Sequence, residues 1–195
     1  MLGLINRTIQ SYVRHSYGHA TWDEVTDHAG VGVSEFESML PYRDDFTPRL
    51  LDAAAEVLDR PRADVMEDIG TFIVSHPEFE SVRRLLRFSG DDFLDFVLSL
   101  EDLDDRVRLA VSDLDLPKVE IEMIADGHFE LRCNADVAGY GHVMMGVLRA
   151  MADDYGALAF LEHTGRKSGA ETVSISLIES DYAEGRSFEL GARAG

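Results

Sequence analysis

The chain has a single cysteine, Cys133, among 195 residues. One thiol cannot close an internal disulfide, so no covalent staple holds the fold, and a reducing compartment such as the cytoplasm is the expected setting. Basic residues are also scarce: 18 Lys and Arg stand against 37 Asp and Glu, a net charge of −19. So acidic a surface repels nucleic acid and anionic membranes and leaves a basic protein face as the electrostatic partner that would fit. Long apolar runs are missing too. Met1-Leu2-Gly3-Leu4-Ile5 is interrupted by Asn6 and Arg7, far short of a membrane span, and no signal peptide is evident. There is no internal repeat, low-complexity tract or obvious linker.

Catalytic signatures are equally sparse. Gly139-Tyr140-Gly141 lacks the further glycine and the strand-to-helix context of a phosphate loop. No Ser-His-Asp set sits in a nucleophile elbow. Glu101, Asp102, Asp104 and Asp105 could suggest a magnesium or calcium cluster, but Asp104 and Arg108 stand four apart on a helix and pair naturally, so a solvated, salt-bridged face is expected. His15 and His19 have no carboxylate or cysteine cluster in prospect, and His76-Pro77 marks a helix end. The expectation is a non-enzyme.

What is present is 45% hydrophobic residues, ample for a core. Leu4, Ile5, Thr8, Ile9, Tyr12 and Val13 recur at helical spacing up to Gly18. Thr21 is placed to cap a second helix that ends at Gly30, and further helices are predicted over 46–58, from Pro61 to His76, and over 79–88. The longest helix is predicted from Asp91-Asp92 to Val111, with Phe93, Phe96, Val97, Leu100, Leu103 and Val107 on one face. The period then changes to two. Val119, Ile121 and Met123 alternate with acids, Asp126-Gly127 turns the chain, and Phe129-Glu130-Leu131 completes a hairpin. A methionine-rich helix over 139–155 precedes strands at 157–163 and 172–178, joined by a turn at 165–169. Met123, Met144, Met145 and Met151 are expected to fill core. The class is α+β: a helical part packed on a four-stranded antiparallel sheet with one or two helices.

The order of these elements, and certain words within them, resembles the heme nitric-oxide/oxygen-binding (H-NOX) family. Those words are Gly3-Leu4-Ile5-Asn6 with Tyr17-Gly18, Trp22 and Ala29-Gly30; Phe46-Thr47-Pro48-Arg49-Leu50 running into Ala53-Ala54-Ala55-Glu56-Val57-Leu58; Leu100 to Val107; Pro117; and Met144-Met145-Gly146-Val147-Leu148. The resemblance runs from Met1 to about Ile178. It implies a single domain over 1–180, with a helical part over 1–112, a sheet part over 113–180 and a tail over 181–195. It also implies a gas-sensing role in signal transduction, with heme as cofactor and a cyclase, kinase or chemoreceptor as separate partner. In that family the heme lies between helices and sheet. A histidine on the long helix binds iron, a proline presses on the porphyrin, and a Tyr-x-Ser-x-Arg motif grips the propionates.

At those positions this sequence departs from the pattern. Asp104 stands at the histidine position, and a carboxylate is a poor axial ligand for heme iron. Pro117 is kept, but Cys133, Ala135 and Val137 replace Tyr, Ser and Arg, removing the planar fork that pairs with a propionate. Arg132 is one residue away and belongs to the opposite strand face. His142 is the candidate substitute ligand, beside Val143 at the gas-contacting position. Cys133 has apolar neighbours and one nearby base, Arg132, which points to a buried structural thiol and not a thiolate. Heme is thus implied by the resemblance, yet the residues favour a site that has lost it or holds it by other ligands. The alternatives are a heme-free descendant holding a fatty-acid-like apolar molecule in the cleft, and an acidic protein-interaction adaptor.

Overall fold

The computed structural model describes residues 3–110, 116–167 and 169–188. The helix end expected at Val111, the boundary expected at 112–113 and Ser168 of the last turn lie outside the described residues. Eight α-helices and four strands are described: α1 Gly3–Tyr17, α2 His19–Ala29, α3 Phe46–Val57, α4 Arg62–Ser75, α5 Glu80–Arg87, α6 Phe93–Leu98, α7 Leu103–Ala110, β1 Lys118–Ala125, β2 His128–Asn134, α8 Tyr140–Tyr155, β3 Leu158–Lys167 and β4 Ala170–Glu179. The strands form one antiparallel sheet in the order β1-β2-β4-β3. This is the expected α+β arrangement.

The stop signals act as their chemistry dictates. Gly30 takes the left-handed conformation at φ 59° that closes α2. His76 turns extended ahead of Pro77, ending α4. Thr21 does not cap α2: the helix starts earlier, at His19, and the Thr21 hydroxyl donates back to the Tyr17 carbonyl at 3.0 Å.

The expected longest helix is broken. Asp92 caps α6 by accepting from the Asp95 amide at 2.9 Å, and residues Ser99–Asp102 then tighten into a 3-10 turn before α7. Local bonds favour this break. The Ser99 hydroxyl donates to the Phe96 carbonyl at 2.7 Å, while the Arg106 guanidinium donates to the Ser99 carbonyl at 2.8 Å. Three residues per turn also stack Leu100 over Leu103, keeping both on the buried side. β3 runs on through Gly165-Arg166-Lys167, so those residues pair with β4 and are not a loop. Met123 is 61% exposed on edge strand β1, whereas Met144, Met145 and Met151 are buried as expected.

Two buried clusters form the core. One is made by α1 to α4, around Trp22, Phe36, Leu50 and Met66. The other joins α5 to α7, α8 and the inner face of the sheet. α4 and α8 contribute to both clusters and cross almost backbone to backbone. A Cβ added at Gly70 would collide with the Val143 carbonyl, and one at Gly146 with the Glu67 carbonyl. Residues 183–187 lie back across the helices. The Ala183 amide donates to the Gly156 carbonyl at 2.9 Å, and the Ser187 carbonyl accepts from Arg83 at 3.3 Å. No helix among the described residues is long and apolar enough to cross a membrane.

Candidate functional site

The α6–α7 run packs on the inner face of the sheet. Period-two alternation points Val119, Phe129, Leu131, Cys133, Val173 and Ile175 inward from three strands. Facing them are Phe93, Phe96, Val97, Leu100 and Leu103, with Met144, Leu148 and Met151 from α8 filling between. All belong to one continuous buried cluster, and Phe96, Leu100, Leu131, Leu148 and Met151 are wholly buried.

Asp104 follows Leu103 but turns away from this cluster. Its carboxylate pairs with Arg108 at 3.1 Å, the expected four-residue spacing, and accepts from the Leu116 amide at 3.3 Å. It therefore ties α7 to the residue just before Pro117, which is half-buried. Glu101 makes a similar tie, accepting from the Ile121 amide of β1 at 2.9 Å.

Cys133 is buried, and its Sγ donates to the Glu171 carbonyl at 3.7 Å. Burial, with a smaller contribution from the Glu171 charge, pushes its thiol up to about 12. Ala135 sits in the loop after β2, and Val137 packs against the other cluster, among α1 to α4. Arg132 lies on the outer sheet face, paired with Glu122 and Glu130 at 2.8 Å.

His142 faces the end of the sheet. Its ring stacks on His163 of β3 with centroids 4.1 Å apart and planes 23° apart. His163 Nε2 lies 3.4 Å from a Glu171 oxygen, and that carboxylate accepts from the Gly139 amide at 2.6 Å and the Gly141 amide at 2.8 Å. Glu171 thus caps the N-terminus of α8 from a neighbouring strand. Burial pushes its carboxyl up, but the two amides and His163 outweigh that and hold it below the usual carboxylate range. Burial, then repulsion from His163, lowers the His142 imidazole. Neither Glu171 nor His163 stood out in the sequence, because a cap supplied from another strand leaves no local spacing. Val143 packs into the α1–α4 cluster beside the Gly70 crossing.

The seven family-like positions therefore do not converge. Asp104 is tied to Leu116, the residue before Pro117, Cys133 joins one cluster, Ala135 lies in the loop after β2, Val137 and Val143 join the other cluster, and His142 joins a polar latch at the head of α8. An expectation about the histidines is also overturned. His15 does have partners, since the fold brings the Glu78 carboxylate to 3.7 Å and the His76 ring to a centroid distance of 4.4 Å.

The chain's likenesses are consistent with this architecture. "Soluble guanylate cyclase gcy-31" of Caenorhabditis elegans is 25% identical over 154 residues, covering 79% of this chain and 22% of the cyclase. "Soluble guanylate cyclase gcy-35" is 26% identical over 155 residues, covering 78% and 22%. The chain thus spans about a fifth of the length of these curated relatives. Among solved structures, the Fe(II) unliganded H-NOX protein from K. algicida superposes with a TM-score of 0.80 at 19% identity, covering 94% of this chain and all of that one. An S. oneidensis H-NOX protein in the Fe(II)NO ligation state gives 0.75 at 18%, covering 91% and 99%. At such identities these two likenesses establish the fold alone. The family model for haem-NO-binding proteins matches residues 2–163, most of the chain, and the chain belongs to the haem-NO-binding (H-NOX) family.

Proposed function

We propose that this domain is a regulatory, non-catalytic member of its family that works without heme, its cleft filled by its own side chains. The observation that carries this reading is the single buried cluster in which Leu100 and Leu103 meet Val119, Leu131, Cys133, Met144 and Leu148. A porphyrin needs a flat gap between such walls, and opening one here would expose tightly packed side chains. The donor set agrees. Asp104 is engaged by Arg108 and Leu116, Cys133 is held protonated, and His142 is stacked on His163 away from the cluster. None of these offers iron a free imidazole or thiolate. The glycine crossing of α4 and α8 narrows the second wall, where Val143 is already packed.

The same packing disfavours a fatty-acid-like ligand, because the apolar wall made by Cys133 and its neighbours is satisfied from within. The output is then a protein contact: a signalling partner of cyclase, kinase or chemoreceptor type reads the relative placement of helices and sheet. The domain would be one unit that includes residues 183–187, expected in the tail but tied to Gly156, Asp154 and Arg83.

The test is reconstitution with hemin, using the wild type and Asp104→His. The expected outcome is no sharp Soret band in either protein, since the variant restores an imidazole but not the space. A sharp band that shifts with nitric oxide in the wild type overturns the proposal. A band in Asp104→His alone would show that the ligand, and not the room, is what has been lost.

A further inference from the structure

The corner where α1 meets the end of α4 gathers three side chains of metal-binding type. His15 comes from the last turn of α1, His76 closes α4 and Glu78 follows in a 3-10 turn at Pro77–Phe79. One ligand atom from each lies within 4.8 Å of the other two. We propose that His15, His76 and Glu78 form a binding site for a zinc-class divalent ion, independent of the helix–sheet cleft and of whether heme binds there.

The surroundings prepare these groups as ligands. His15 Nδ1 lies 2.8 Å from the Ser11 carbonyl, which can only accept, so this nitrogen carries the proton and Nε2 keeps its lone pair. That is the outer bond by which metal-binding imidazoles are commonly oriented. His76 is held by stacking on Phe72, with centroids 4.4 Å apart and planes 22° apart, and its ring lies 4.4 Å from that of His15. Its Nδ1 accepts a long 3.3 Å bond from the Glu78 amide. Ligation through Nε2 moves the ring proton to Nδ1 and gives up only that weak bond. One Glu78 oxygen accepts from the Ser11 hydroxyl at 3.4 Å, and the other lies 3.7 Å from His15 Nδ1, the protonated nitrogen, so His15 must turn about its side-chain torsions to bring Nε2 to an ion.

Two imidazoles and one carboxylate suit zinc, nickel or copper, whereas magnesium and calcium favour all-oxygen shells. Bond lengths of about 2.0–2.2 Å require ligand atoms nearer together than they now stand. His15 and Glu78 are exposed and can close that gap by side-chain torsions. A cavity of about 260 Å³ opens beside them and is also lined by His19, leaving room for water or a fourth ligand. Arg7 and Arg14 line the cavity as well, which opposes cation binding, but Arg14 is paired with Glu35 at 3.0 Å. Glu78 supplies the anionic charge at the ion.

The experiment titrates the untagged full chain with Zn²⁺ by calorimetry and with Co²⁺ by visible absorption. One equivalent is expected to bind, with intense bands from low-coordinate Co²⁺. His15→Gln and His76→Gln should each weaken binding by at least about tenfold. His28→Gln, which alters the separate His28–Glu56 pair, should leave it unchanged. Absence of saturable binding, equal affinity in all variants, or loss caused by His163→Gln in place of these two overturns the proposal. Should a glutamine variant fail to fold, the wild-type Co²⁺ spectrum decides, and featureless octahedral absorption counts against the site. Zn²⁺ should also raise the melting temperature of the wild type, because a ligand bound only by the folded state stabilises it.

Discussion

Cys133 and Asp104 owe their chemistry to what the fold places beside them. Cys133 is an inward residue of a central strand, so its polarity must be low or satisfied, and a thiol achieves both by donating to the Glu171 carbonyl. With its pKa pushed up to about 12, almost none of it is thiolate at neutral pH. The native protein should therefore ignore a thiol reagent over hours and react with one equivalent once unfolded in denaturant. Rapid stoichiometric labelling of the folded protein would mean an accessible, ionised thiol and an open cleft. The sequence already marked Cys133 as buried, since its strand alternates and its neighbours are apolar. Asp104 was legible in its pairing with Arg108 but not in its bond to the Leu116 amide, which depends on where the chain returns after α7. His15 was misjudged for the same reason: Glu78 is remote in sequence and arrives only when α4 packs on α1.

At the scale of elements, the head of α8 depends on a carboxylate from β4. Glu171 satisfies two amides that a helix start leaves without partners and places negative charge at the positive end of the helix dipole. Its folded pKa is lowered, so its contribution is present above the unfolded carboxylate pKa and is lost as pH falls through the folded value. His142 acts in the same direction. Its lowered pKa favours the neutral ring in the folded state, so stability falls as acid drives the unfolded chain to bind the proton. His163, with Glu67 and Asp64 on α4, completes the charges around this latch. Glu171→Gln should cost about 1–2 kcal/mol at neutral pH and flatten the acid limb of a denaturation-midpoint profile below about pH 5, where the unfolded carboxyl starts to take up its proton. Parallel profiles for variant and wild type would remove Glu171 from this role. The helices themselves were legible from their 3.6 period and the strands from their period of two. The break at Ser99–Asp102 was not, because it follows from Arg106 and Ser99 claiming carbonyls that a regular helix would use. The extension of β3 through Lys167 was hidden by Gly165 and Gly169, which read as turn residues but differ in place: one is in the strand and the other ends it.

For the molecule as a whole, the net charge of −19 sets a term that no single ion pair offsets. Several ion pairs are exposed at both partners, such as Arg43–Asp45 and Lys118–Glu120, and pairs of that kind add little to stability because water and salt screen them. The buried exception is Asp154, gripped by Arg83 at 2.7 Å with Arg87 and Arg186 nearby, which holds α5 and residue 186 to α8. Added salt leaves such a buried pair nearly untouched, weakens the exposed pairs and screens the repulsion among the excess carboxylates, which is the longer-ranged effect. Repulsion should win. Raising NaCl from about 20 mM to about 500 mM shortens the screening length from roughly 20 Å to roughly 4 Å, below the spacing of most surface carboxylates. The melting temperature should then rise by about 3 °C or more. Because α4 and α8 contribute to both clusters, the rise should appear as one cooperative transition moving intact, not as two that separate. A melting temperature that falls with NaCl would place the exposed ion pairs above the net charge, and two resolved transitions would mean that α4 and α8 do not couple the clusters.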